Sequence, residues 1–193
     1  RRAPEAPFPA AIDDCEAATR WIASSPDALG RGATGIITIG DSAGGTATIA
    51  VSQLLAKDPA SVPVVLQVPI FPATNDPAAS ASFAQFGEGY VLTQAAMTMF
   101  REAYAANPDD PRGMPILGDH APAPPTILVT TSLDPIRDSG RDYGKALIDA
   151  GADVTFIEMK GMTHSFCNLR QAVPSTQGDV ERIFAAMKLA LAA

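Results

Sequence analysis

A serine flanked by glycines occupies residues 40–44, which read Gly-Asp-Ser-Ala-Gly. An apolar, β-branched run at 34–39 precedes this segment, and a helix-like stretch follows it. A Gly-x-Ser-x-Gly turn between a strand and a helix is typical of a nucleophile elbow, which projects the serine hydroxyl from the end of the strand. Side chains at Gly40 and Gly44 are expected to clash in so sharp a turn. We therefore predict that Ser42 is a nucleophile.

A serine hydroxyl needs a general base within hydrogen-bond reach, and the sequence contains only two histidines. His164 follows the last predicted strand, which places it at the same edge of the sheet as Ser42. His120 lies in a polar, proline-rich loop and is predicted to be solvated. We therefore assign His164 as the general base.

The base in turn needs an orienting carboxylate. Asp134 directly follows the third predicted strand, and Pro135 disfavours helical backbone at the residue before it, so Asp134 should remain in a loop. Asp138 is the rival, but it falls in the first turn of a predicted helix, where the helix dipole stabilises a carboxylate that has no catalytic role. We favour Asp134, which gives the chain order nucleophile, acid, base in Ser42, Asp134 and His164.

The residues beside the serine complete the predicted site. The backbone N–H of Ala43 lies at a predicted helix N-terminus, where it should stabilise a developing oxyanion. Asp41 and Gly44 are assigned to the substrate-binding surface. The predicted reaction is attack of Ser42 on a carbonyl carbon to form an acyl-enzyme, which water then hydrolyses.

Strands and helices alternate along the chain. Strands are predicted at 34–39, 62–68, 126–131 and 154–159, and helices at 10–22, 43–57, 137–150 and 177–191. Strands separated by helices indicate an α/β class, with a parallel sheet that carries helices on both faces. We expect a single domain that spans 1–193.

The stretch 72–125, between the second and third strands, carries no convincing strand. It is predicted to hold helices near 82–86 and from Thr93 to about Ala106. Insertions at the carboxyl ends of strands are where α/β proteins build binding sites. A cap over the Ser42 pocket is therefore favoured over a peripheral insertion with no chemical role.

The net charge and the length of the apolar runs argue against some classes of partner. The net charge of −7 disfavours nucleic acid and anionic membranes as partners, and no apolar run reaches the length of a membrane span. No signal peptide is recognisable. The two cysteines, Cys15 and Cys167, have no metal-ligand spacing and are expected to be free thiols in the reducing cytoplasm.

Three segments resemble the catalytic blocks of the hormone-sensitive-lipase-like esterases, also called bacterial family IV: residues 40–45, 134–138 and 164–166. Residues 3–11 resemble that family's Ala-Pro-Glu-x-x-Phe-Pro-Ala-Ala block. The resemblance implies an α/β-hydrolase fold, hydrolysis of carboxylic esters with short to medium acyl chains, and no metal or organic cofactor. One departure is Ser165, which stands where the family commonly has a glycine.

The family's N-terminal half, which includes several strands and a His-Gly-Gly-Gly oxyanion loop, has no counterpart in this sequence. The strand at 34–39 should then lie at the edge of the sheet, where an apolar strand is poorly tolerated. The absence of an initial methionine favours the C-terminal portion of a longer polypeptide. A shortened enzyme that covers this strand by forming a homodimer would also fit, as would a front half supplied by a separate chain. The alternative functions are a weak or inert small-molecule-binding fragment and an acyltransferase.

Overall fold

The computed structural model describes residues 1–192, and its centre is a sheet of four parallel strands in the order β1-β2-β3-β4. The strands are β1 (Ile36–Asp41), β2 (Val64–Ile70), β3 (Thr126–Leu133) and β4 (Val154–Thr163). Each neighbouring pair is parallel. The predicted α/β class with a parallel sheet is confirmed.

Helices lie before, between and after the strands. They are α1 (Ala10–Ala23), α2 (Ala43–Lys57), α3 (Ala81–Phe86), α4 (Gln94–Tyr104), α5 (Arg137–Asp149) and α6 (Thr176–Ala190). The predicted helices all form, with ends within two residues of the expected positions. Among the described residues, no helix is both long and apolar enough to cross a membrane.

Two hydrophobic clusters, one on each face of the sheet, hold these layers together. Ile127 and Val129 of β3 pack with Val180 and Ile183 of α6. Leu128, between them in sequence, packs in the other cluster, with residues of α2 and α5. Because successive strand residues point to opposite faces, the two clusters lie on opposite sides of the sheet, which places α6 on one side and α2 and α5 on the other.

The strands extend further toward their carboxyl ends than the sequence predicts. β1 and β2 each run two residues beyond the predicted end, β3 also two residues, and β4 four residues. Glycine, proline and polar residues at these ends have low strand propensity, but pairing with a neighbour overrides propensity, as in the Leu133–Thr163 pair. As a result, β1, β3 and β4 end one residue before Ser42, Asp134 and His164 respectively.

β1 is an edge strand, as predicted, and within the described part of the chain it pairs only with β2. Ile37 is paired with Leu66, and Ile39 with Val68. Paired residues share a face of the sheet. Leu66 and Val68 are 1% and 0% exposed, whereas Ile37 and Ile39 are 37% and 48% exposed. The apolar face of the sheet is therefore uncovered at β1.

The insertion between β2 and β3 contains α3 and α4, close to the predicted positions. Thr93 caps α4, since its Oγ1 accepts a hydrogen bond from the Ala96 N–H at 3.2 Å. None of the residues of α4 is buried, and Met99 and Phe100 are 58% and 54% exposed. α3, in contrast, is anchored to the start of α5 by contacts described below.

Candidate active site

The turn between β1 and α2 holds Ser42 in an unusual backbone conformation. Ser42 separates β1 from α2 and has φ 54° and ψ −119°. Non-glycine residues rarely adopt positive φ, and such outliers cluster at functional sites. Its N–H donates a hydrogen bond to the Ile70 carbonyl at 2.9 Å, which fixes the turn against the end of β2.

The glycines around Ser42 match the prediction at Gly40 and differ from it at Gly44. A Cβ at Gly40 would lie 2.4 Å from the Gly44 carbonyl oxygen, so the predicted clash at Gly40 is present. The predicted clash at Gly44 is wrong, because a Cβ there would meet nothing within 4 Å. The second close approach occurs at buried Gly45, where a Cβ would lie 2.9 Å from the Ile70 oxygen. The glycine doublet at 44–45 is the signal that could have shown this.

Ser42, His164 and Asp134 form one continuous hydrogen-bonded chain. The His164 Nε2 lies 2.9 Å from the Ser42 Oγ, and its Nδ1 lies 2.8 Å from the Asp134 Oδ2. His164 is 4% exposed and Asp134 is fully buried. This arrangement can pass a proton from the serine hydroxyl to the imidazole while the carboxylate fixes the tautomer.

Asp134 accepts hydrogen bonds from two further donors, one in β3 and one just before α5. The Thr131 hydroxyl donates to Oδ2 at 2.7 Å, and the Ile136 N–H donates to Oδ1 at 3.0 Å. A buried carboxylate is costly unless hydrogen bonds replace its hydration. Together with the His164 Nδ1, these donors supply that replacement. Sequence reasoning missed Thr131, because a threonine in a buried strand gives no sign of which atom it contacts.

Asp138 does not reach the imidazole but connects the insertion to the loop that carries Asp134. Its carboxylate accepts a hydrogen bond from the Ser82 N–H at 2.8 Å, and its own N–H donates to the Ser82 Oγ at 3.2 Å. The Ser82 hydroxyl also donates to the Pro135 carbonyl at 2.9 Å. Burial opposes ionisation of Asp138, but the Arg137 guanidinium and the Ser82 N–H hold the pKa of this carboxyl below its usual range.

His120 is not part of the hydrogen-bonded chain at Ser42. Its Nε2 lies 3.2 Å from the Ile116 carbonyl oxygen, and its ring packs edge-on against Tyr143 at 5.4 Å. It is half-buried, so the prediction of a solvated side chain is wrong. The loop folds back onto α5, a tertiary contact that its polar, proline-rich composition does not indicate.

The other side of Ser42 is open. Asp41, Ala43 and Gly44 are all exposed. Ala43 is the first residue of α2, and the first N–H groups of a helix have no intrahelical acceptor. Its N–H is thus positioned to meet an anion at the helix N-terminus. The Asp41 carboxylate accepts a hydrogen bond of 3.4 Å from the Asn168 side chain, which joins the end of β1 to the segment after His164.

Ser165 takes the backbone conformation that glycine adopts most easily. It has φ 62° and ψ 20° in the left-handed region, and it precedes a short 3₁₀ turn, Phe166–Asn168. Its carbonyl accepts a hydrogen bond from the Asn168 N–H at 2.9 Å. The loop therefore keeps the geometry of a glycine position, at a cost in backbone strain.

Comparison with protein families finds a match over residues 1–168 to a family described as having the alpha/beta hydrolase fold. Ethyl acetate hydrolase of Pseudomonas putida is 36% identical over 174 residues, covering 88% of this chain and 54% of the relative. Carboxylesterase NlhH of Mycobacterium tuberculosis is 33% identical over 198 residues, covering 99% of this chain and 62% of the relative. The chain thus spans about half to three-fifths of the length of these curated relatives.

Comparison with solved structures also finds esterases. EstE1, a thermophilic carboxylesterase cloned from a metagenomic library, superposes with a TM-score of 0.91 at 32% identity, covering 99% of this chain and 67% of that one. An esterase from Pyrobaculum calidifontis superposes with a TM-score of 0.90 at 31% identity, covering 100% of this chain and 65% of that one. The α/β-hydrolase fold predicted from the sequence is confirmed.

Proposed function

As the chain belongs to the hormone-sensitive-lipase-like family of α/β hydrolases, we propose that it hydrolyses carboxylic esters through a catalytic triad of Ser42, His164 and Asp134. The observation that carries the proposal is the hydrogen-bonded chain through the imidazole, with contacts of 2.9 Å to Ser42 and 2.8 Å to Asp134. Names of relatives such as ethyl acetate hydrolase and carboxylesterase support the same reaction class.

In the first half of the proposed reaction, the Ser42 Oγ attacks the ester carbonyl carbon while His164 Nε2 accepts the hydroxyl proton. Asp134 holds the Nδ1–H tautomer and stabilises the imidazolium that forms. The tetrahedral oxyanion accepts a hydrogen bond from the Ala43 N–H. His164 then donates the proton to the leaving alcohol, which leaves an acyl group on Ser42.

The second half repeats these steps with water as the nucleophile. His164 accepts a proton from the water as the water attacks the acyl carbonyl, and it returns the proton to the Ser42 Oγ as the carboxylic acid leaves. The reaction balances as ester plus water giving acid plus alcohol, and it requires no oxidant or reductant.

The open side of Ser42 is proposed to contact the substrate. Gly44 is exposed and without a side chain, so it lets a substrate approach the helix N-terminus closely, and Asp41 borders the same opening. The insertion at 72–125 is proposed to act as a cap, because Ser82 ties α3 directly to the Asp134 loop. We propose short to medium acyl chains as substrates.

The test is hydrolysis of p-nitrophenyl acetate and butyrate by the wild-type chain and by Ser42→Ala. Loss of the nucleophile should lower kcat by about 10⁴-fold or more. Ser52→Ala is a matched control, because that buried serine bonds to the Thr38 hydroxyl and the Thr48 carbonyl rather than to the imidazole. Equal turnover by the wild type and Ser42→Ala would contradict the proposal.

A further inference from the structure

Phe71 is a buried aromatic residue in a strained backbone conformation, directly after β2. Its φ is +37°, a value that bulky side chains rarely adopt, and it is 2% exposed. Such a conformation persists only where surrounding contacts over-determine it, and it occurs most often at functional sites. Neither the sequence motifs nor the proposed mechanism accounts for it.

The peptide group between Ile70 and Phe71 makes two hydrogen bonds that depend on this backbone conformation. The Ile70 carbonyl accepts a hydrogen bond from the Ser42 N–H at 2.9 Å, and the Phe71 N–H of the same peptide donates to the Val129 carbonyl at 2.7 Å. The peptide therefore joins the nucleophile turn to β3, the strand that leads to Asp134. Its orientation depends on the backbone dihedrals on either side of it, including those of Phe71.

The side chain of Phe71 reaches the third element of the site. Its ring centroid lies 4.7 Å from that of the His164 imidazole, with the planes tilted by 60°. The ring also meets fully buried Phe166 at 5.7 Å, almost edge-on. Both imidazole nitrogens are already hydrogen-bonded, so an aromatic contact restricts the remaining freedom of the ring.

We propose that Phe71 is a positioning residue that aligns the His164 imidazole between Ser42 and Asp134 and stabilises its protonated form. The face of an aromatic ring attracts a cation that lies within about 6 Å of its centroid, and this attraction arises only when the imidazole gains its proton. The kinetic consequence rests on the proposed ester hydrolysis. The effect on the imidazole itself does not.

The direct test is an NMR titration of the His164 ring in the wild type and in Phe71→Leu, which keeps an apolar side chain but removes the ring. The substitution leaves the nearby titratable groups unchanged. These are Asp134, which is hydrogen-bonded to the imidazole, and Asp41 and Cys167 on the neighbouring segments. Removal of the ring should shift the equilibrium of His164 toward the neutral imidazole by about threefold to tenfold. Because the sequence has only two histidines, His120→Gln suffices for the assignment.

Phe86→Leu is the matched control. Phe86 is also a buried aromatic residue, but its ring packs against Tyr90 and the Arg137 guanidinium. Phe86→Leu should lower the thermal midpoint of unfolding without moving the His164 titration.

In ester hydrolysis, Phe71→Leu should lower kcat by about threefold to tenfold with KM nearly unchanged, since the imidazolium forms only after substrate binds.

A wild-type titration in Phe71→Leu would overturn the inference, and so would an equal shift in Phe86→Leu. Should Phe71→Leu fail to fold, nuclear Overhauser contacts between the Phe71 and His164 ring protons in the wild type decide the matter, and their absence overturns the inference. An inactive wild-type chain would instead count against the proposed function, because the titration does not depend on turnover.

Discussion

Asp134 and His164 are 0% and 4% exposed, whereas Ala43 and Gly44, on the other side of Ser42, lie open to solvent. Asp134 and His164 directly follow β3 and β4 and are enclosed by these strands and the loops after them. Ser42 follows β1, the edge strand of the sheet. The difference shows that this chain buries the carboxylate and the imidazole, whereas the residues after Ser42 remain exposed to solvent.

The same contrast appears within one pair of strands. Leu66 is 1% exposed, but its partner Ile37 on β1 is 37% exposed although both point to the same face of the sheet. Apolar side chains on an edge strand favour association with another chain or segment. A homodimer across this strand stays a prediction, and the variants below provide a way to detect it.

Asp134→Asn should produce the largest effect. The amide keeps the volume of the side chain but favours the wrong tautomer of His164, so kcat for p-nitrophenyl esters should fall by about 10⁴-fold. Asp138→Asn is the matched control, since its carboxylate contacts Ser82 and Arg137 rather than the imidazole. Comparable losses in the two variants would contradict the assignment of Asp134 as the orienting acid.

Leu66→Ala and Ile37→Ala compare the covered and uncovered sides of the sheet. Leu66→Ala should lower the free energy of unfolding by about 2–5 kcal/mol, because it leaves a cavity in the core. Ile37→Ala should cost less than about 1 kcal/mol in dilute protein, because part of its side chain is already in water. Urea unfolding measures both values.

If the two variants lost equal free energy of unfolding, the proposed difference in burial between Leu66 and Ile37 would be contradicted, because Ile37 would then be covered in solution. If the cost of Ile37→Ala rose with protein concentration, a second copy of the chain would be the cover. Sedimentation of the wild type over the same concentrations provides the control.

Asp138→Asn should have a smaller, pH-dependent effect on stability. The pKa of Asp138 is lower in the folded chain than in the unfolded chain, so the folded state binds fewer protons. The contribution of Asp138 to the free energy of unfolding is then fully present above its pKa in the unfolded chain, about 4. That contribution is lost as the pH falls through the lower pKa of the folded chain. We expect Asp138→Asn to cost about 1–3 kcal/mol at neutral pH.

Unfolding by urea at pH 7 and at pH 3 measures the change. The difference between the wild type and Asp138→Asn should shrink at the lower pH. A difference of the same size at both values would show that the charge of Asp138 does not contribute to docking α3.

Ser165→Gly should have the smallest effect, and it should be stabilising. Ser165 has a φ of 62°, a conformation that costs glycine little. Relief of this strain is only partly offset by the greater freedom of glycine in the unfolded chain. The net gain in the free energy of unfolding should be about 0.5–1 kcal/mol. Thermal unfolding checks the sign, and a clear loss of stability would mean that the Ser165 side chain has a role of its own.

The sequence was sufficient to predict that Ser42, Asp134 and His164 lie together, because each follows a strand and lies within a recognisable local pattern. The supporting residues could not be predicted in this way. Ser82 lies 56 residues from Asp138, and Phe71 lies far along the chain from His164, so no local pattern connects them. Their roles arise only when the fold brings the segments together.

We propose that Ser42 of this chain is an activated nucleophile. Reaction of the folded 193-residue chain with a fluorophosphonate probe, followed by mass spectrometry of its peptides, tests this proposal. We predict one adduct, on Ser42, with none in Ser42→Ala and much slower labelling in Asp134→Asn. A folded wild-type chain that remains unlabelled, or that is labelled elsewhere, would contradict the account.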